Sequence, residues 1–297
     1  MFKKILFATD ATPVCEIAAK TAFELSEKYG SELILVHVVA DFFQGTCPFV
    51  PDMPGKEKTL SVPEYTAFVK EGMKKNYGFL AKRFGDPEYK VIKGKSWEEI
   101  LKFALKIKVD CIIMGAHAQK EASAEKTLQK VAQKAHCPVL SIARPCETSF
   151  WYFNRIIFGT DFSKASMSAF QFAYKLADYI GCKLHIFHAL DIESSGTGDI
   201  PGQKQIEDQI KEAKARIEEL YVSQMENFDN YDMAVWEGIP YVELLKFARE
   251  TSGDLIVMAH HTKDIDSEKA FFSHTIDQVV FRSACPVVSV NKYCNFK

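Results

Sequence analysis

Two apolar patterns alternate along this chain. Short unbroken runs, such as Ile5-Leu6-Phe7-Ala8, read as parallel strands covered on both faces. Between them apolar residues return at helical spacing. Val14, Ile17, Ala18, Thr21 and Leu25 form one stripe; Tyr65, Phe68, Val69, Met73, Tyr77, Leu80 and Phe84 form another. Thr12 followed by Pro13 predicts an N-cap and a first helical residue, and Gly30 predicts where that helix stops. Further strands are predicted at 33–39, 90–92, 111–114 and 139–143, and further helices at 97–107 and 125–134. Residues 41–62 hold Pro48, Pro51, Pro54 and Gly55 and read as an irregular excursion. Five strands joined by right-handed crossovers predict an open, doubly wound parallel sheet of the Rossmann-like α/β class.

The pattern then starts again. KKILFATD at 3–10 returns as NRIIFGTD at 154–161, and LILVHVV at 33–39 as LHIFHAL at 184–190. VIKGKSWEEILKFA at 91–104 matches VWEGIPYVELLKFA at 235–248. VDCIIMGAH at 109–117 matches GDLIVMAHH at 253–261, and HCPVLSIA at 136–143 matches ACPVVSVN at 284–291. One unit is written twice, so the expectation is two tandem five-stranded α/β domains, 1–146 and 152–297. The second excursion, residues 191–203, is shorter. The connection contains Phe150-Trp151-Tyr152-Phe153, four adjacent aromatics that read as a packed segment rather than a mobile linker.

Composition narrows the function classes. The 297 residues, 47% hydrophobic and 26% charged, describe a globular chain with room for two cores. A formal net charge of -2 gives no general attraction to nucleic acid or to an anionic membrane. No apolar stretch approaches the roughly 18 residues needed to span a bilayer. The N-terminus has no signal-peptide pattern, and the eight scattered cysteines read as reduced thiols, so a cytoplasmic location is expected.

The opening strands ILFATD and IIFGTD resemble those of the universal stress protein family in its tandem form. So do the second strands LVHVV and IFHAL, Gly94, Gly238-Ile239-Pro240, the fourth strands DCIIMGAH and DLIVMAHH, and the two Cys-Pro-Val motifs. The resemblance implies an adenine nucleotide α-hydrolase-like fold, stress-linked expression and, in some members, ATP binding. It also implies pairing of domains through the last strand, here as an intramolecular pseudo-dimer of the two halves, with a homodimer of the full chain left open.

ATP-binding members of the family resemble one another in a pattern G-x2-G-x9-G-[ST]. The first glycine lets backbone approach phosphate, and the last pair opens a helix whose amides hold it. In the first repeat Gly115 fits, Ala118 stands at the second glycine, and Glu125-Lys126 stand at the final pair, where a carboxylate repels phosphate. In the second repeat Ala259 and Thr262 replace the first two glycines, while Ser273 and His274 fall at the final pair. Ser273 can cap a helix and donate to an oxyanion. Asp10 and Asp161 match the family's acidic residue near adenine and ribose, although an aspartate there also serves to bond the turn that starts the next helix. Ala40 and Leu190, after the second strands, match the backbone contacts to adenine.

Other chemistry is weaker. His260, His261, His274 and His188 lack the fixed spacing of a zinc site, so no metal is expected. His37 and His188 read as core or subunit-facing residues. Cys137 and Cys285 read as buried structural thiols. No Gly-x-Ser-x-Gly elbow, Walker A motif or paired-carboxylate signature is present. The leading expectation is a non-enzymatic stress-response protein with degenerate ATP motifs, no confidently assigned cofactor and no catalytic residue. Its alternative is an ATP-binding switch, or slow ATPase, working through the second domain alone. A different small ligand, suggested by Phe42, Phe43, Phe49, Phe271 and Phe272, is the third reading.

Overall fold

A computed structural model of the chain describes residues 2–39, 49, 61–116, 122–145, 153–191, 202–260 and 270–294; the side chains of residues 122–126 and 270–274 are not part of that description. The chain divides into two compact units, Met1–Trp151 with Lys297, and Tyr152–Phe296.

In unit 1 the elements are β1 (Lys4–Ala8), α1 (Pro13–Tyr29), β2 (Glu32–Val39), α2 (Val62–Phe84), β3 (Glu88–Lys93), α3 (Ser96–Ile107), β4 (Cys111–Gly115), α4 (Ala122–Lys134) and β5 (Val139–Ile142). In unit 2 they are β6 (Arg155–Gly159), α5 (Lys164–Ile180), β7 (Lys183–Leu190), α6 (Gln203–Leu220), β8 (Tyr231–Glu237), α7 (Pro240–Glu250), β9 (Leu255–Ala259), α8 (Ala270–Arg282) and β10 (Val287–Val290). Within unit 1 the strands lie in the order β3-β2-β1-β4-β5, all parallel. Within unit 2 the order is β8-β7-β6-β9-β10, again all parallel. This is the expected doubly wound architecture. In each unit the direction of winding reverses between the first and fourth strands, which leaves a crevice at their carboxyl ends.

The central strands form because they are apolar on both faces. Ile5, Leu6 and Phe7 are fully buried, as are Ile156, Ile157 and Phe158. Phe7 lies opposite Leu35 on one side and Ile113 on the other; Phe158 lies opposite Ile186 and Val257. Helix α2 buries Tyr65, Val69, Met73 and Tyr77, a stripe at spacing four. Phe68, placed on that stripe by periodicity, instead lies on its flank and is about half exposed (49%).

Two boundaries differ from expectation in the same way. Helices α4 and α8 start at Ala122 and Ala270, ahead of Glu125 and Ser273. Strand β7 runs through Leu190, which pairs with Glu237 and is therefore the last strand residue rather than the one after it.

An aspartate before each fourth strand ties the first strand in place. Asp110 Oδ2 accepts from the Lys4 N–H at 2.8 Å, and Asp254 Oδ2 accepts from the Asn154 N–H at 2.7 Å. Gly94 and Gly238 adopt φ of 146° and 133°. A Cβ there would fall 2.6 Å from Glu99 Cγ and 2.9 Å from Glu243 Cγ, so the backbone conformation disfavours a side chain and the glutamate beside it would have to shift to admit one. Among the described residues Cys15, Cys111, Cys137, Cys182, Cys285 and Cys294 are unbridged. Cys137 is buried as expected, and Cys285 is partly accessible. Among the described residues no helix is long and apolar enough to cross a membrane.

Candidate functional site

Each first strand ends in Thr-Asp, and the same polar box is built around that pair in both units. In unit 1 the Thr9 and Tyr77 hydroxyls are 2.6 Å apart; in unit 2 the Thr160 and Tyr221 hydroxyls are 2.5 Å apart. Each threonine oxygen also accepts a backbone N–H two residues on, from Ala11 at 3.1 Å and from Phe162 at 3.0 Å. Burial pushes both phenols up, Tyr221 to about 12, so each remains a neutral hydrogen-bonding group.

Ala11 and Phe162 occupy the left-handed region at φ of 62° and 59°. That conformation costs a non-glycine residue on the order of 1–2 kcal/mol. The aspartates hold it in place. Asp10 Oδ1 accepts from the Thr12 N–H at 3.1 Å, the Thr12 hydroxyl at 2.7 Å and the Cys15 thiol at 3.0 Å. Asp161 Oδ1 accepts from the Ser163 N–H at 2.9 Å and the Ser166 hydroxyl at 2.5 Å. One oxygen of each aspartate is thus committed to the turn. Ser163 caps α5 by accepting from the Ser166 N–H at 3.1 Å. Thr12 makes no such cap bond, because its hydroxyl is turned back to Asp10.

A histidine completes each box. Nδ1–H of His37 donates to the Thr9 carbonyl at 2.8 Å, and that of His188 to the Thr160 carbonyl at 2.8 Å. Since a carbonyl can only accept, this fixes the tautomer. Burial lowers the pKa of both rings despite the nearby aspartates, which favours the neutral form. His37 is buried and His188 only partly so, in line with a core role for the first.

The two boxes are roofed differently. In unit 1 Phe49 packs edge-on at 5.0 Å from His37 and 6.1 Å from Tyr77. Its backbone lies where a Cβ on Gly72 would be, 2.1 Å from the Phe49 oxygen. In unit 2 Phe162 itself covers His188 at 4.3 Å and stacks on Tyr221 at 6.3 Å, with the Arg216 guanidinium 4.4 Å over its ring.

The crevices differ as well. Gly115, at the end of β4, is bare because a Cβ would sit 3.2 Å from backbone atoms of Val14 and Cys15: the start of α1 presses onto the strand. Its counterpart in unit 2 is Ala259, while Gly159 stands where unit 1 has Ala8. Unit 2 holds a cavity of about 40 Å³ at this switch point, lined among others by Thr160, Asp161, His188, Pro240, Leu244 and Ala259.

The structure therefore brings Asp161 and Ala259 together at one cavity. Leu190 is close in sequence to that rim, but its carbonyl accepts the Gly238 N–H at 2.9 Å. Asp10 and Gly115 lie at the matching switch point of unit 1, where α1 packs on β4 as α5 packs on β9 in unit 2. Ala40 and Thr262 fall outside the described residues, as do the side chains of Glu125, Lys126, Ser273 and His274. Of the aromatics raised as ligand contacts, Phe42 and Phe43, and the side chains of Phe271 and Phe272, also fall outside, and Phe49 is a roof residue. The histidine group is not assembled in what is described. His260 is buried with Nε2 3.8 Å from Asp277 Oδ1, His261 lies outside the described residues, and no metal-ligand cluster occurs among those described. Sequence reasoning missed Thr275, Pro240 and Leu244 as lining residues. The Gly238-Ile239-Pro240 motif carried a signal for two of them, since a helix starting there after an edge strand faces the crevice.

The model of the universal stress protein family matches this chain twice, over residues 1–142 and 153–291. The chain belongs to the universal stress protein family and carries two tandem copies of its domain. Universal stress protein MJ0577 of Methanocaldococcus jannaschii is 32% identical over 162 residues, which cover 48% of this chain and 96% of that protein. Universal stress protein MJ0531 of the same organism is 28% identical over 151 residues, 49% of this chain and 84% of that protein. Over the full length, a universal stress protein from Archaeoglobus fulgidus has the same fold: a TM-score of 0.62 at 17% identity, covering 97% of this chain and 96% of that one.

Proposed function

We propose that this tandem stress-response protein works without catalytic chemistry of its own, as a cytoplasmic regulator that binds a ligand in unit 2 alone. Unit 1 serves in this reading as the structural partner domain. The ligand class we assign to the unit 2 cleft is an adenine nucleotide. The observation that carries this is the cavity at the unit 2 switch point, which has Asp161 and His188 on its polar side and Pro240 and Leu244 on its apolar side. Ligands of open α/β sheets bind at such points, and a few polar groups on an apolar wall suit a nucleoside. The non-catalytic part rests on how the reactive groups are employed: Asp161 Oδ1 and the Ser166 and Thr160 hydroxyls are engaged in building the turn.

Calorimetry with ATP on the full chain tests it. Heat is expected from the unaltered protein and from Val38→Trp, the matching position in unit 1, and none from Ala189→Trp, which fills the unit 2 cavity mouth. No heat at millimolar ATP, or equal heat from Ala189→Trp, would overturn nucleotide binding in unit 2. Steady phosphate release abolished by Ala189→Trp would overturn the non-catalytic part and favour the slow ATPase.

A further inference from the structure

Three ammonium groups converge on one indole in unit 1. The nitrogens of Lys95, Lys130 and Lys134 lie 5.0, 5.1 and 4.8 Å from the centre of the Trp97 ring. Lys95 precedes α3, Trp97 is in its first turn, and the other two come from α4. All three nitrogens therefore lie within roughly 10 Å of one another, about one screening length at ordinary salt. Glu98 partners Lys95 at 2.9 Å. Glu98 also acts on Lys130 through space, and among the described residues no carboxylate is in direct ion-pair contact with Lys130 or Lys134. The result is a local excess of positive charge on a chain whose net charge is -2.

The second repeat is an internal control for the packing role. Tyr241 occupies the place of Trp97, and Arg282 the place of Lys134, with its guanidinium 5.3 Å over the tyrosine ring. Where unit 1 has Lys95 and Lys130, unit 2 has Ile239 and Gln278. A single cation over an aromatic ring is thus enough to join the third and fourth helices of a unit. A cation in the last turn is also favoured by the helix dipole. Lys95 answers Glu98, but neither reason accounts for Lys130, whose addition places like charges side by side.

We infer that this cluster is an anion-binding site for a short chain of phosphates, on the helical face of unit 1 and separate from the cleft of unit 2. Lysines bind phosphate as flexible point charges. Three of them inside one screening length can grip successive phosphate groups, which relieves the repulsion that the cluster carries unliganded.

Inorganic tripolyphosphate is the probe, titrated by calorimetry at low salt into the full chain carrying Ala189→Trp, so that the unit 2 cleft takes no part. Lys95→Gln with Lys130→Gln removes two of the three charges and leaves Lys134 to hold the helices as Arg282 does. The expected result is a loss of about ten-fold or more in affinity, sized from two weak ion pairs, and restoration by Lys95→Arg with Lys130→Arg. An unchanged affinity in the glutamine pair would overturn the site. Tighter binding of an oligoglutamate peptide than of tripolyphosphate would overturn the phosphate assignment in favour of an acidic protein partner.

Discussion

The two switch points are made from the same parts with one methyl group exchanged. Unit 1 has Ala8 on its first strand and Gly115 on its fourth; unit 2 has Gly159 on its first and Ala259 on its fourth. Where the fourth strand is bare, the backbone of α1 settles onto it at Gly115. Where the fourth strand carries a methyl and the first is bare, the Leu244 and Met258 side chains reach towards Gly159 and help line the unit 2 cavity. The supporting box of threonine, tyrosine, histidine and aspartate is the same on both sides. The scaffold of a site can therefore be kept through duplication while the helix and side-chain packing beside it differs.

Three experiments would break or sharpen that comparison. Truncating the shared tyrosine should cost most. Tyr77→Ala and Tyr221→Ala each remove a buried ring that contacts Phe7 or Phe158, and each should destabilise its own unit by about 3–5 kcal/mol. Trp97 reports unit 1 and Trp236 reports unit 2 in urea melts of variants that retain one tryptophan. A cost confined to one unit would mean that the boxes are not equivalent.

Next comes the exchanged methyl. Gly115→Ala should cost about 1–2 kcal/mol, because the atoms in its way are the backbone of α1. Gly159→Ala should fall within about 0.5 kcal/mol, because its nearest neighbour is the end of the Leu244 side chain at 3.1 Å. Equal costs would show that the start of α1 is free to move away from Gly115.

The smallest effect is on pH dependence. Burial lowers the folded-state pKa of His37 and His188 below the ordinary 6.5, so the unfolded chain takes up their protons first as pH falls. Their contribution is fully present above about pH 6.5 and is lost as pH drops through the lowered folded values. Stability measured between pH 7 and 5 should fall less steeply in His37→Gln and in His188→Gln. A steeper fall in either would reverse the assigned sign.

Much of the fold was legible because burial on both faces leaves unbroken apolar runs, and because each unit provides a second reading of the other. Asp10 and Asp161 were readable as turn-bonding residues for the same reason. Where the sequence reading fell short, the deciding contact was remote. Phe68 sits on a periodic stripe, yet the strands beneath α2 accept only the line through Tyr65, Val69, Met73 and Tyr77. The glycine pattern of the family located the crevices but not their volume, which depends on how near a helix lies to a strand. Pro240, Leu244 and Thr275 became lining residues only once α7 packed on β7 and α8 packed against α7 and β10.

By itself, the sequence determined the duplication, the order of strands and helices, the buried central strands and the place of each crevice. These follow from local periodicity and from motifs that recur in register. The tertiary structure alone decided that Thr9 meets Tyr77 and Thr160 meets Tyr221, that Phe49 and Phe162 roof equivalent boxes from different segments, and that three lysines gather on Trp97. Each of these joins residues from separate elements, and sheet register and helix packing set such distances.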